Sequence, residues 1–277
     1  MSSLVFAVSI TSDRFPERFI NAGVAEQNMM GLAAGMASEG YHVFVYSIGN
    51  FPTFRCAEQI RNDVDYHQLP VTIVAVGGGL AYGALGYSHH TIQDYALMRA
   101  MPNMLIAAPG DPMEVRACMR YLIQHPQPSY LRLGKAGESI FHQDVPEIAP
   151  GLWTAVAKRE DPRGEGSIFL TTGGALGIAL QLQQSSEFSG HAVASMPLWG
   201  QAAKARQVEQ VRQVREVVTV EDHLMDGGFG SWLLESVANE GPLSARIRIR
   251  GLNSDVCGMV GSQSTLNTAG GLAPSCL

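Results

Sequence analysis

The run Val71–Val76, VTIVAV, places six apolar or β-branched residues between Pro70 and Gly77. A strand without polar alternation has both faces covered, which is the pattern of a parallel sheet held between helical layers. The neighbouring segments repeat the rhythm. Helical spacing over 25–38 precedes a strand over 41–46 (YHVFVY), and a helix over 54–64 precedes VTIVAV. A helix over 92–100 follows, then strands over 104–107 and 129–132 with a helix over 112–124 between them. The stretch 135–166, rich in Pro, Gly and charge, reads as a linker. A second unit then brings strands over 167–172, 192–195, 216–221 and 245–250. Its helices run from the Gly173-Gly174 turn to about 184, over 201–213 and over 228–239. The expected class is α/β, with two three-layer αβα domains. A parallel-sheet domain over 1–134 is followed, after the linker 135–166, by a smaller mixed-sheet domain over 167–277.

Composition narrows the setting. Hydrophobic residues make up 46% of the 277 and charged residues only 16%, so a large subunit interface is expected to cover part of the surface. With a net charge of −6 and no Lys/Arg run, neither nucleic acid nor an anionic membrane is an expected partner. The cysteines Cys56, Cys118, Cys257 and Cys276 form no C-x-x-C arrangement and read as reduced thiols. Met1–Ser9 lacks the basic start of a secretory signal, and no apolar run is long enough to span a bilayer. A soluble, cytoplasmic chain is expected.

Three segments carry chemistry. In FINAGVAEQNMMGLAAGMA (19–37), Glu26 falls in the first turn of a helix rich in small residues. A carboxylate there also complements the helix dipole. In GNFPTFRCAEQIRND (49–63), Phe51 and Phe54 stand at a strand-to-helix turn, and Arg55 and Arg61 read as interface or helix-surface cations. In GGGLAYGALGYSHH (77–90), the glycine run lacks the Lys-Ser/Thr of a phosphate-binding P-loop and reads as a turn. Glu221, Asp222 and His223 cluster at the end of a later strand and read as structural.

These segments together resemble the pyrimidine-binding domain of the transketolase family, with its G-V-x-E motif and its G-x-D-G-x-T-H-Q loop. TTGGALGIAL (171–180), VVTVEDHLMDGGFGSWLLE (217–235) and VGSQSTL (260–266) resemble the family's C-terminal domain. The resemblance implies a thiamine-diphosphate enzyme in which Glu26 hydrogen-bonds N1′ of the aminopyrimidine. Sharing that proton favours the imino tautomer that activates the cofactor. It implies Phe54, or second Phe51, as the ring stacked on the pyrimidine. His89 matches the histidine that handles substrate protons, and Arg132 matches a phosphate-binding arginine. The reaction implied is transfer of a two-carbon ketol unit from a ketose to an aldehyde. Alternatives are the β-subunit of a 2-oxo acid dehydrogenase and a noncatalytic scaffold subunit.

The departures from the pattern are informative. No G-D-G motif followed by asparagine occurs, so the diphosphate and its Mg2+ are expected to be held by a separate N-terminal transketolase subunit. Two copies of this chain are expected within an α2β2 assembly. Gly77 and Leu85 stand where the family carries a sugar-reading histidine and aspartate, which implies a different sugar substrate. The sheet edge before Phe19 is expected to be short.

Overall fold

A computed structural model describes residues 13–158, 166–241 and 243–273. The sequence expectations for the edge before residue 13, for Cys276 and for the last four residues lie outside the described residues. Helix Glu26–Ser38 ends where Gly40 adopts φ +92°, a conformation that costs glycine little. Among its buried residues, Ala33, Ala34 and Ala37 are small enough to bring the backbone close to the first sheet, on strand β1 (Val43–Ile48), while Met30 fills the core beside them.

VTIVAV forms β2 (Val71–Val76), buried at all six positions. The strand pairs in parallel with β1, Val43 opposite Val71, and with β4 (Ser129–Leu133), Thr72 opposite Ser129. Strand β3 (Leu105–Ala107) runs parallel to β4 on its other side. Helix Pro112–Gln124 starts where Asp111 caps it, its carboxylate accepting from the Glu114 amide at 2.8 Å, with Pro112 at the first helical position.

The first sheet is not purely parallel. Strand β8 (Leu198–Gly200), from the second half of the chain, closes its edge antiparallel to β3, with Ile106 opposite Trp199. The sheet order is β1-β2-β4-β3-β8. The second sheet takes the order β10-β9-β6-β7-β5, from β10 (Arg246–Leu252), β9 (Glu216–Leu224), β6 (Ser167–Thr171), β7 (Ala192–Ser195) and β5 (Thr154–Ala157). It is mixed as expected, β5 being antiparallel to β7. Because β5 lies inside 135–166, that stretch is more than a connector. Each sheet thus takes an edge strand from beyond the expected domain boundary. One continuous core accordingly spans both, from Val45 and Ile73 through Tyr95, Trp199 and Trp232 to Leu170 and Val217. Trp199 donates to Thr172 Oγ1 at 3.1 Å and Trp232 to the Gly200 carbonyl at 3.2 Å, so both large rings are buried with their N–H groups paired.

The helix expected over 54–64 is broken into short α, 3-10 and π turns between Asn50 and Asp65. In the wide turn Ile60–Asp65, positions i, i+4 and i+5 face one side, and Ile60, Val64 and Asp65 are all buried. Asp65 accepts the Asn103 amide at 3.0 Å. Cys56, Cys118 and Cys257 are free thiols. No helix among the described residues is long and apolar enough to cross a membrane.

Candidate active site

Glu26 is the first residue of its helix, at the mouth of an open cavity of about 430 Å³ lined by Val24, Ala25, Glu26, Gln27, Asn28 and Arg55. Its side chain keeps 14% exposure, enough shelter to strengthen a hydrogen bond and enough opening to admit a ligand. Arg55 Nη1 donates to both Glu26 oxygens, at 3.2 and 3.3 Å. The same guanidinium lies over the Phe51 ring, 4.2 Å from its centroid. Phe51 meets the His89 ring edge-on, with centroids 5.4 Å apart. Glu26, Arg55, Phe51 and His89 therefore form a chain of direct contacts.

The loop that presents His89 is held from below. Gly86 takes φ +81°, and the His89 amide donates to its carbonyl at 2.9 Å. Asn50 Nδ2 donates to the carbonyls of Ser88 and His90, at 3.3 and 3.0 Å, which fixes the backbone on both sides of His89. Nδ1 of His89 lies 3.0 Å from Ser88 Oγ, which leaves Nε2 as the ring nitrogen available to a ligand. His90 turns inward, buried, with Nε2 3.3 Å from the Gly83 carbonyl.

Between the two candidate stacking rings, the geometry favours Phe51. Phe54 is 45% exposed and is in none of the ring contacts around Glu26 and His89. Phe51→Ala is expected to raise the apparent dissociation constant for thiamine diphosphate about tenfold, a stacked aromatic pair being worth about 0.5–1.5 kcal/mol beyond its area. Phe54→Ala should leave it within about twofold. A titration in which Phe54→Ala has the larger effect would return the stacking role to Phe54.

Arg132 is not available to a substrate phosphate, contrary to the expectation from sequence. It is 2% exposed, and each of its N–H groups already has a partner. Nε donates to Asp94 Oδ2 at 2.7 Å, and Nη1 to Asp222 Oδ1 at 2.6 Å and Tyr95 Oη at 3.2 Å. Nη2 donates to the carbonyls of Thr91 and Asp222, at 2.7 and 3.2 Å. A guanidinium has five such donors, so Arg132 ties loop 91–95 of the first domain to strand β9 of the second.

The Gly77-Gly78-Gly79 run does serve as a turn. Its three amides donate to the carbonyls of Gly134, Leu133 and Thr91, leaving none for a phosphate. Gly79, at φ +64°, has no room for a side chain, since a Cβ would stand 2.4 Å from Asp222 Oδ2. The later acidic cluster is structural too. Glu221 accepts the amides of Phe229 and Gly230, at 2.6 and 2.8 Å, and so caps helix Phe229–Val237. Burial nevertheless pushes its pKa up to about 8. His223, also buried, has Nδ1 2.7 Å from the Leu224 carbonyl.

Sequence reasoning left two contributors out. Arg55 reads as a surface cation because its two partners, Glu26 and Phe51, are brought together only by the turn after β1. Asn50 sits in that turn, and nothing in its sequence context signals that it reaches the His89 loop.

Comparison with known proteins gives the chain its family. Residues 5–137 match the transketolase pyrimidine-binding domain family. The chain is 35% identical, over 91% of its length and 78% of the relative's, to a transketolase C-terminal section of Methanocaldococcus jannaschii. It is 32% identical to one subunit of the apulose-4-phosphate transketolase of Phocaeicola vulgatus, covering 84% of this chain and 73% of that one. Among solved structures, an inactive β4 tetramer of a split-gene transketolase superposes with a TM-score of 0.79 at 32% identity, over 95% of this chain and 82% of the other. The chain belongs to the transketolase family, in which it matches the separate C-terminal chain of split transketolases.

Proposed function

We propose that this chain is the pyrimidine-binding subunit of a thiamine-diphosphate-dependent transketolase, a cytoplasmic transferase that moves a two-carbon ketol unit from a ketose to an aldehyde acceptor. The observation that carries the reading is the relay of contacts from Glu26, on the wall of an open cavity, through Arg55 and Phe51 to His89. The donor set fits the aminopyrimidine half of the cofactor: a carboxylate for a ring nitrogen, an aromatic face for the ring, and a histidine in edge contact with that aromatic ring. When bound, thiamine diphosphate supplies the nucleophilic carbon that the side chains of a protein lack. Glu26 holds a proton at the ring nitrogen, Phe51 orients the ring, and His89, through Nε2, gives or takes a proton at the substrate oxygen.

A partner subunit completes the site in this reading. It holds the diphosphate and Mg2+, and two copies of each chain make an α2β2 assembly. Val24, on the cavity wall, is 93% exposed, and Leu85 and Tyr87, in the loop that carries His89, are 58% and 49% exposed; exposed apolar side chains of this kind are what a second chain covers. The related β4 tetramer is inactive, in keeping with a chain that carries half of a cofactor site. Leu85 presents an apolar side chain where the family has a sugar-reading aspartate, so the pocket is expected to select a ketose with fewer hydroxyls at that point. The relative named for apulose 4-phosphate makes phosphorylated ketoses the first donors to try.

The test is co-purification with a diphosphate-binding transketolase subunit, followed by assays with ketose phosphates plus aldehydes and with 2-oxo acids plus an electron acceptor. Ketol transfer that requires both chains and thiamine diphosphate is expected. Turnover of the 2-oxo acids alone would make the chain a dehydrogenase β-subunit, and no turnover of either kind would favour a scaffold.

A further inference from the structure

Arg55 makes with Glu26 and Phe51 the same two contacts that these residues are proposed to make with the aminopyrimidine. Its guanidinium is a flat, cationic plane stacked on the Phe51 ring, 4.2 Å from the centroid, and it donates N–H to the Glu26 carboxylate at 3.2 and 3.3 Å. An aminopyrimidine carrying a proton on its ring nitrogen is likewise a flat plane that stacks and donates N–H to a carboxylate. We propose that Arg55 is a built-in plug, which occupies the aminopyrimidine subsite until the cofactor displaces it. This rests on the assignment of Glu26 and Phe51 above.

The contact is built to be released. A single nitrogen serves both carboxylate oxygens at long distances, whereas Arg99 grips Glu235 with two nitrogens at 2.9 and 2.6 Å. Half of the Arg55 side chain, 51%, is already exposed, so moving outward restores hydration to the guanidinium with little packing lost. Arg132 is the internal contrast: fully buried and with every donor paired, it cannot leave. While Arg55 is in place, Glu26 has a counter-ion and the Phe51 face is covered, which keeps stray cations and ring compounds out of the cavity. The apparent affinity for cofactor is then lowered by the fraction of molecules in which the plug is seated.

The test is calorimetric titration of the full-length chain with thiamine and with the uncharged hydroxymethyl-aminopyrimidine half of thiamine. The uncharged probe is the discriminating one, because removing a cation would favour the positively charged thiazolium whether or not Arg55 occupies the subsite. Arg55→Gln is expected to bind the uncharged pyrimidine roughly three- to tenfold more tightly than the parent chain, about the factor an exposed ion pair with a stacked cation can withhold. Arg55→Lys, which keeps the charge and loses the plane, should fall between them. Unchanged or weaker pyrimidine binding by a folded Arg55→Gln chain, including no detectable binding at all, overturns the plug. The Glu26→Gln chain separates the two ideas. If it loses pyrimidine binding while Arg55→Gln is unchanged, only the plug fails. If Glu26→Gln binds as the parent does, the Glu26 assignment itself fails.

Discussion

Glu26→Gln is expected to lower turnover of the reconstituted enzyme by about 10²–10⁴-fold, the range that positioned proton transfer contributes, while the chain stays folded. Glutamine is nearly the same shape, so cavity and helix persist. What it cannot do is share a proton with a ring nitrogen. Stability should change little. The substitution removes one favourable charge from the first helical turn, worth about 0.3–1 kcal/mol, and the half-exposed pair with Arg55, worth about as little. For a chain of this size that is a shift of a few degrees, at about 2–4 °C per kcal/mol. Steady-state assays beside thermal melts read both quantities. More than about a tenth of parental turnover in a folded Glu26→Gln chain would remove Glu26 from the catalytic step.

What could be read from sequence divides along a physical line. Local patterns were legible: VTIVAV is a fully buried parallel strand because continuous apolar character needs cover on both faces, and the helix expected over 112–124 spans Pro112–Gln124. Non-local pairings were not. Leu198–Gly200 carries no sign that it will cross to the first sheet and pair with β3, since antiparallel edge pairing leaves no imprint on three residues. Glu26 and His89 could be singled out because each sits in a short run of contiguous residues that resembles a family motif. The choice between Phe51 and Phe54 was not recoverable, because both flank one turn and only the path from Gly49 to Cys56 decides which ring meets His89. Arg55 and Arg132 were exchanged in effect. The arginine that reads as surface reaches the site, and the one that reads as a phosphate ligand is buried in the core. Partners explain the difference, since the carboxylates that capture Arg132 lie 38 and 90 residues away in sequence.

Replacement of Arg132 gives the largest expected effect on stability. Burial opposes its charge, and the carboxylates of Asp222 and Asp94 outweigh that penalty, holding the guanidinium above its ordinary pKa range. Asp94 is fully buried, and its Oδ2 also accepts the Tyr130 hydroxyl at 2.6 Å. Arg132→Ala would leave Asp94 and Asp222 facing each other's charge without a cation and would strip the π face of Tyr95, over which the guanidinium lies at 4.3 Å. Breaking a buried pair on one side costs about 3–5 kcal/mol, which at about 2–4 °C per kcal/mol is a fall of roughly 10 °C in melting temperature. Arg132→Lys should recover part of this, since one ammonium cannot make the five directed bonds of the guanidinium. Asp222→Asn should cost less than Arg132→Ala, because Asp94 then still compensates the cation. The competing assignment, Arg132 as a phosphate ligand, predicts a different split: a higher KM for phosphorylated donors with the melting temperature unchanged. Melting curves and KM values on the same Arg132→Lys protein therefore decide between a hub that joins two domains and a residue that reads the substrate. A KM effect without a thermal one would return Arg132 to the active site.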